Sequence, residues 1–321
     1  MTATGPVRLA VVGVGHLGRH HARVAASLPG ACVVGVHDHH EGRADAVARE
    51  RGLRVLSSTE EVAEKADAVI IATPTSSHAE LVRFFLDRDV DVLVEKPITT
   101  TVAEADAVVE LARARGRVLQ VGHVERYNPA VQAALSAVDA PRFIEGHRLG
   151  VFAPRSLDVD VVLDLMIHDL QIVAELVQRP VREIRAAGIP VLTARLDIAN
   201  ARIAFEGGCV ANLTASRVSA ARMRKLRIFA PKVYLSVDMM EQKVDAFRLS
   251  RETDRAMIVP SRIPVDGGEP LAREVADFVG AVRDRREPLV PGERGREALA
   301  LAQRVLVAIE EHRRGVEEGR V

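Results

Sequence analysis

Apolar positions fall into two different patterns along this chain. In the first third, short apolar runs read as strands: "VRLAVV" (7–12), "ACVVGVHD" (31–38), "ADAVIIATP" (66–74), "VDVLVEKP" (90–97) and "RVLQVGH" (117–123). Amphipathic stretches separate them: "RHHARVAASL" after Gly18, a helix from Ser77 to about Asp87, and a helix starting near Thr101. Strands alternating with helices of about ten to fifteen residues predict βαβ units and a parallel sheet. After residue 123 the rhythm changes. Strand-like stretches crowd together, in "RFIEGHRLGVF", "LDIANARIAFEGG", "CVANLTASRVS", "KLRIFAPKVYLSVD" and "KVDAFRLS". A single predicted helix, "VVLDLMIHDL" (161–170), sits among them.

The first run leads directly into "GVGHLG", which places Gly13, Gly15 and Gly18 in G-x-G-x-x-G spacing around His16 and Leu17. In a strand–turn–helix context each glycine has a reason. The first allows a tight turn, the second lets a pyrophosphate approach the backbone, and the third lets helix pack on strand. The helix that follows offers N–H groups and its positive dipole end to the phosphates. The second strand ends in Asp38, about 20 residues beyond the last glycine, where a carboxylate accepts hydrogen bonds from ribose hydroxyls. That charge disfavours a 2′-phosphate and predicts NAD rather than NADP, a preference that nearby Arg43 would soften. Ligands of such sheets bind beyond the carboxyl ends of the strands, where "TPTSSH" and "EKP" fall.

The decapeptide 161–170 places Asp164 and His168 at i and i+4, one face of an α-helix, within an apolar run. A satisfied core pair, a metal site and a catalytic dyad are the alternatives. A metal site fits poorly, since two ligands need a third and His147 is the nearest stray candidate; no metal is expected. Basic residues number 39 Arg and only 5 Lys. Lysine titrates usefully when buried and arginine does not, so Lys96 in "VEKP" stands out.

Composition narrows the field. The 321 residues carry 44 basic and 44 acidic side chains, so nothing advertises a polyanionic partner, and no nucleic acid is expected. No apolar run approaches the roughly 18 residues of a membrane span. The opening "MTATGPVRLAVVGVGHLG" reads as a first strand, not a signal peptide. Cys32 and Cys209 form no redox or metal motif. A soluble cytoplasmic protein is the expectation.

In order, "GVGHLGRHHA", "IIATPTSSH", "VEKPITTTVAEA", "VLQVGHVERYNPA" and "VVLDLMIHDL" strongly resemble the glucose–fructose oxidoreductase/inositol dehydrogenase (Gfo/Idh/MocA) family. The resemblance covers almost the whole chain, including two C-terminal helices in "PLAREVADFVGAVRDRREPLVPGERGREALALAQRVL". It implies an α/β chain with an N-terminal NAD(P)-binding Rossmann domain, residues 1–121. Residues 122–321 would form an α+β substrate-binding and oligomerisation domain with an open, largely antiparallel sheet, its C-terminal helix able to pack back on the first domain.

The resemblance also implies a cis Lys96–Pro97 peptide. His78 would lie near the nicotinamide ribose, Thr73 and Pro74 would line the cofactor, and Glu95 and Lys96 would belong to the same cofactor-binding set. Arg126, Tyr127 and Asn128 would sit in a loop that meets cofactor and substrate. The helix residue His21 matches the family pattern, although packing explains it equally.

The chemistry expected is NAD-dependent oxidation of a sugar secondary hydroxyl. His168 would be the general base, Asp164 would orient the substrate hydroxyls or the imidazole, and Lys96 would stabilise the developing oxyanion. The wording of "VGHVERYNPA" and "DVVLDLMIHDL" looks most like the members that oxidise the 3-hydroxyl of UDP-N-acetylglucosamine. In "SRVSAARMRKLR" (216–227), Arg217, Arg222, Arg224, Lys225 and Arg227 are candidates for a diphosphate or a solvated loop. The alternatives are a free polyol or monosaccharide substrate of the inositol or glucose type, and a non-catalytic dinucleotide sensor. An open sheet must cover a face, so a homodimer or homotetramer is expected.

Overall fold

The computed structural model describes residues 5–153, 159–250 and 257–319; the first four residues of the opening segment read as a strand lie outside them. The chain folds as two compact units. One holds the described residues up to 124 together with 269–297, and the other holds 125–268 and the residues from 298 onward. The boundary expected at 121–122 falls at the end of a strand of the first unit.

The first unit runs β1 (Val7–Val12), α1 (Gly18–Ala26), β2 (Ala31–His37), α2 (Glu41–Arg51), α3 (Thr59–Lys65), β3 (Ala68–Ile71), α4 (His78–Leu86), β4 (Asp91–Glu95), α5 (Val102–Arg115) and β5 (Leu119–Gly122). Its five strands are all parallel, in the order β2-β1-β3-β4-β5. Helices cover both faces of such a sheet, so its strands are apolar without alternation; every residue of β3 and β4 is buried. Strand order reverses between β1 and β3, which makes the carboxyl ends of these two strands the expected ligand crevice. Thr101 starts α5 through a capping box with Glu104, satisfying backbone N–H groups that the helix leaves open.

The second unit contributes α6 (Pro129–Ala137), β6 (Phe143–Leu149), a π-helical segment Val162–Met166, α7 (Ile167–Val177), β7 (Val181–Ile189), β8 (Ile198–Phe205), β9 (Val210–Ser216), β10 (Met223–Ala230), β11 (Val233–Asp238), β12 (Lys243–Ser250) and β13 (Met257–Ile263). Its eight strands lie in the order β13-β12-β11-β10-β6-β9-β8-β7, antiparallel except for the β6–β9 pair. Here burial alternates along the strand, as in β8, because one face meets the core. Ile144, Ile203, Leu213, Leu226 and Leu235 of that face share a core with Val131 of α6 and with Ile167, Leu170 and Val173 of α7. On the other face, cross-strand rings continue from Phe229 to Tyr234 and Phe247, stacked at 4.7 and 5.3 Å.

Three details depart from the sequence reading. "KLRIFAPKVYLSVD" is not one strand but the β10–β11 hairpin, turned at Lys232 with φ of 68°. The helix at 161–170 is not alone after residue 123, because α6 precedes it with Asn128 as its N-cap. Strands β7 and β13 were not marked by the alternation. The two terminal helices are α8 (Pro270–Asp284) and α9 (Gly292–Glu317). In α8, Val275, Phe278, Val279 and Val282 form one apolar face and join the first unit's core with Val11 and Leu93, whereas α9 from Ala298 onward belongs to the second unit.

Candidate active site

The glycine turn at the end of β1 is built as the dinucleotide reading requires. Gly13 has φ of 83°, and a Cβ there would lie 2.7 Å from Thr73 Cγ2; a Cβ on Gly18 would lie 1.8 Å from the Gly13 carbonyl oxygen. Gly15 differs, since a Cβ there would meet nothing within 4 Å. The turn is thus closed by packing on two sides and open at the middle glycine, with α1 starting at Gly18 to supply N–H groups. His16 and Leu17 are exposed at this turn. Asp38 is buried, and its Oδ2 accepts the Val14 N–H at 2.9 Å while Oδ1 accepts the His40 N–H at 2.9 Å. The carboxylate therefore fixes the glycine turn and retains lone pairs for further donors. Arg43 is exposed in the first turns of α2. These residues fit an NAD: a tight turn, an open cradle, a helix N-terminus and an acid at the end of β2.

At the ends of β3 and β4 the expected residues lie close together, with His78 and Glu95 buried. The Lys96–Pro97 peptide is cis. His78, almost wholly buried, places Nδ1 2.8 Å from the Pro97 carbonyl oxygen and Nε2 3.0 Å from that of Thr73. Burial holds its pKa below the ordinary value, against the pull of those carbonyls. A neutral ring has one N–H, so it donates to one of these two carbonyls and packs against the other. Thr73 receives the Ser77 hydroxyl on its own, at 2.8 Å, and Pro74 is exposed beside it. Lys96 is half-buried, and its backbone N–H donates to Glu95 Oε2 at 3.1 Å. His123, which follows β5, is fully buried; burial first, and then the Lys96 charge, push its pKa down to about 3. A ring so shifted is uncharged at neutral pH. The sequence reading quoted His123 as a strand end and gave it no function.

The second unit carries the other set. Asp164 and His168 do not share a regular α-helix. The Ile167 N–H reaches back to the Val162 carbonyl, an i−5 bond that underwinds the segment holding Asp164, and α7 begins only at Ile167. Single π turns of this kind recur at functional sites. Asp164 is half-exposed in it, and His168 is buried on the first turn of α7.

A buried ion network flanks His168. Arg148 of β6 grips the neighbouring Asp169 with two bonds of 3.0 and 2.7 Å and donates to Glu125 at 2.6 Å. Arg224 adds a 3.0 Å bond to the same Glu125 oxygen. Burial alone would lift the Glu125 carboxyl, but Arg148 and Arg224 outweigh it and hold it below the ordinary glutamate range. Neither Glu125, Arg148 nor Asp169 was singled out from sequence, although "IHDL" and "HVERYN" contain two of them.

The residues after β5 find partners inside the second unit. Arg126 makes two 2.6 Å bonds to Glu175 of α7, Tyr127 is fully buried, and Asn128 caps α6 while donating to the Met239 carbonyl at 2.9 Å. Of the cations in 216–227, Arg217 is buried and donates to the Val159 carbonyl. Lys225 and Arg227 pair with Asp238 and Glu145, and Arg222 is exposed. His147 is half-buried on β6. Cys32 is exposed, whereas Cys209 is buried, its thiol pKa raised by that burial. Among the described residues, no helix is long and apolar enough to cross a membrane.

Residues 7–123 match the GFO_IDH_MocA oxidoreductase family, described by its NAD-binding Rossmann fold. The chain is 38% identical to a UDP-N-acetylglucosamine 3-dehydrogenase of Acidithiobacillus ferrooxidans over 95% of its own length and 97% of that protein's. A solved structure of that enzyme superposes with a TM-score of 0.89, covering 95% of this chain and 98% of the other. A scyllo-inositol 2-dehydrogenase (NAD(+)) of Bacillus subtilis is 34% identical over 66% of this chain and 68% of its own length. A strand–glycine–helix turn, an acid closing it and a cis Lys-Pro turn at the next strand ends accompany a match that runs nearly end to end, and on that basis the chain belongs to the GFO_IDH_MocA family of NAD-binding oxidoreductases.

Proposed function

We propose that this protein uses NAD⁺ to oxidise the 3-hydroxyl of a UDP-N-acetylglucosamine-type nucleotide sugar to a ketone. The observation that carries the reading is the nearly full-length 38% identity to the Acidithiobacillus enzyme, against a shorter match to the inositol enzyme.

In this reading the first unit holds NAD through Gly13, Gly15, His16, Leu17, Gly18, Asp38, Thr73 and Pro74, with Glu95, Lys96 and His78 at the nicotinamide end and Arg43 near the ribose. The bound nicotinamide supplies the hydride acceptor. From the second unit, Asp164 and His168 would contribute to the chemistry, with Arg126, Tyr127 and Asn128 contributing to substrate binding. His168 takes the hydroxyl proton, since an imidazole titrates in the range this transfer needs. Lys96 donates to the same oxygen and stabilises its negative charge as the hydride leaves. Asp164 orients the sugar hydroxyls or the imidazole. Arg222, Arg224, Lys225 and Arg227 are the candidates for the diphosphate; the last three would exchange a carboxylate partner for a phosphate.

The test is NADH formation from NAD⁺ with UDP-N-acetylglucosamine, inositol and glucose in parallel. The nucleotide sugar should be turned over with the highest kcat/KM. Turnover of inositol or glucose alone would replace this reading with the free-polyol one, and no turnover of any alcohol would favour a dinucleotide-sensing regulator.

The same reading assigns the chain to the cytoplasm, where NAD and nucleotide sugars meet, as a homodimer or homotetramer. Support for assembly comes from the edge of the second sheet, where Met257, Ile258 and Val259 of β13 are 57%, 71% and 41% exposed and present an apolar strand edge with no further strand beside it among the described residues. Light scattering should give a mass of two or four chains; a monomer would refute it.

A further inference from the structure

Three ionisable side chains converge behind Lys96, within the first unit. His21 comes from α1, Glu95 ends β4 and Glu274 lies in the first turns of α8. One nitrogen or oxygen of each lies within 4.8 Å of the others, and the three residues are 1%, 7% and 0% exposed. His21 Nε2 and Glu95 Oε1 are 2.7 Å apart, and Glu95 Oε2 accepts the Lys96 N–H. Beside this satisfied pair, both carboxyl oxygens of Glu274 and the Nδ1 of His21 meet no hydrogen-bond partner among the described residues. The space is closed on the β5 side, where a Cβ on Gly122 would stand 3.0 Å from the Glu95 carboxyl.

Two carboxylates in a dry site cannot both stay ionised without compensating positive charge. A proton or a cation must supply it. Two atoms bound to one small divalent ion at about 2.0–2.1 Å stand roughly 3 Å or more apart, whereas the His21–Glu95 separation is that of a hydrogen bond. With Nδ1 lacking an acceptor, the donor proton of His21 belongs on Nε2, facing Glu95.

We propose that Glu274 is a neutral carboxylic acid beside an ionised Glu95, so that the His21–Glu95–Glu274 triad holds one carboxylate charge behind the Lys96 turn. Glu274 is then a positioning residue. It keeps a second negative charge away from Glu95, and Glu95 holds the Lys96 N–H and hence the direction in which the lysine leaves the strand.

The two carboxyls are displaced in opposite senses, as when neighbours share a proton. Burial, then Glu95 and Asp277, push Glu274 well above the ordinary glutamate value. Glu95 falls below it, because the His21 contact and the nearby Lys96 outweigh burial. The charged and titratable groups facing the triad are Lys96 from the β4 end, His78 from α4, His123 after β5 and Asp277 one turn along α8.

The inference rests on Lys96 acting in the proposed oxidation, but two of its tests need no substrate. Infrared spectra of the full chain at neutral pH should show the C=O stretch of a protonated carboxyl, absent in Glu274→Gln. A proton retained when folded and released when unfolded makes stability fall as pH rises, from the ordinary glutamate pKa up to the raised one. Relative to Glu274→Gln, the wild-type unfolding constant should therefore grow by up to about tenfold per pH unit in that window.

With substrate, Glu274→Ala should lower kcat by about tenfold at unchanged NAD affinity, and Glu274→Gln, which keeps an uncharged side chain of the same size beside Glu95, should restore it. The proposal is overturned by a wild-type spectrum without the band or by a stability difference that is flat with pH. One equivalent of divalent metal, present in the wild type and lost in Glu274→Gln, would overturn it equally. Failure of the wild type to oxidise UDP-N-acetylglucosamine while the spectrum and the pH slope hold would count against the substrate reading alone.

Discussion

The two units hold the side chains proposed to act on substrate by different physics. In the first, Lys96 leaves a strand end whose surroundings are set by backbone closeness: Gly18 packed on Gly13, Gly13 on Thr73, and His78 lodged between two carbonyls. In the second, His168 sits on a helix whose next residue, Asp169, is gripped by a buried arginine that also holds Glu125. A strand end in a parallel sheet is already rigid, since both sheet faces are covered, and needs only small residues to bring a cofactor close. A helix entered through a π turn has no such frame and is anchored by charge instead. The difference teaches that the first half-site should be sensitive to added volume and the second to removed charge.

Substitutions can break that contrast, and the largest effect is expected at Arg148. Arg148→Leu would leave Asp169 buried without the cation that grips it and Glu125 with Arg224 alone, and breaking a buried pair in this way costs about 3–5 kcal/mol. Urea unfolding should show it as a large drop in midpoint. Replacing Arg148, Glu125 and Asp169 together by apolar residues of similar volume should recover most of the loss.

Gly18→Ala probes the other half. Its Cβ would collide with the Gly13 carbonyl oxygen, and overpacking of this kind costs about 1–3 kcal/mol. NAD affinity by calorimetry should fall along with stability, whereas Gly52→Ala, at a helix C-cap with open space, should leave NAD binding intact.

The smallest effect is a pH dependence. Glu125 is held below its ordinary pKa in the folded state, so its contribution is present above the unfolded value of about 4.3 and is lost as pH falls through the folded one. Wild-type stability should decline on acidification below about pH 5, and Glu125→Gln should remove part of that slope. An equal slope in both proteins would show that Glu125 is not an ionised partner of Arg148.

How much of this was legible in the sequence differs between the units for the same reason. The glycine turn and Asp38 were readable because a βαβ rhythm fixes where strand ends fall, and chemistry at strand ends has few places to go; the cis Lys-Pro turn came from the family resemblance, not from the rhythm. Glu274 was not readable as part of that site. It stands far down the chain in a helix that reads as amphipathic, and only the return of α8 to the first unit gives its carboxyl a meaning. In the second unit, β10 and β11 merged because the Ala-Pro-Lys turn between them is short and flanked by apolar alternation on both sides. Helix α6 was hidden behind "RYNP", whose Asn-Pro pair marks a helix start as well as a loop. The π turn at Asp164 leaves no mark in a pattern that counts residues by 3.6, so the sequence placed Asp164 and His168 on one regular helix face and the chain does not.

The central proposal, that Lys96 and His168 both serve the oxidation of a sugar hydroxyl, is tested most directly by separating chemistry from cofactor binding. With NAD⁺ and UDP-N-acetylglucosamine, Lys96→Ala and His168→Ala should each lower kcat by about 10²–10⁴-fold. The double variant should fall by much less than the product of the two losses, and NAD affinity measured alone should stay near wild type in His168→Ala. Near-wild-type turnover in either single variant, or strictly multiplicative losses in the double variant, would contradict the account.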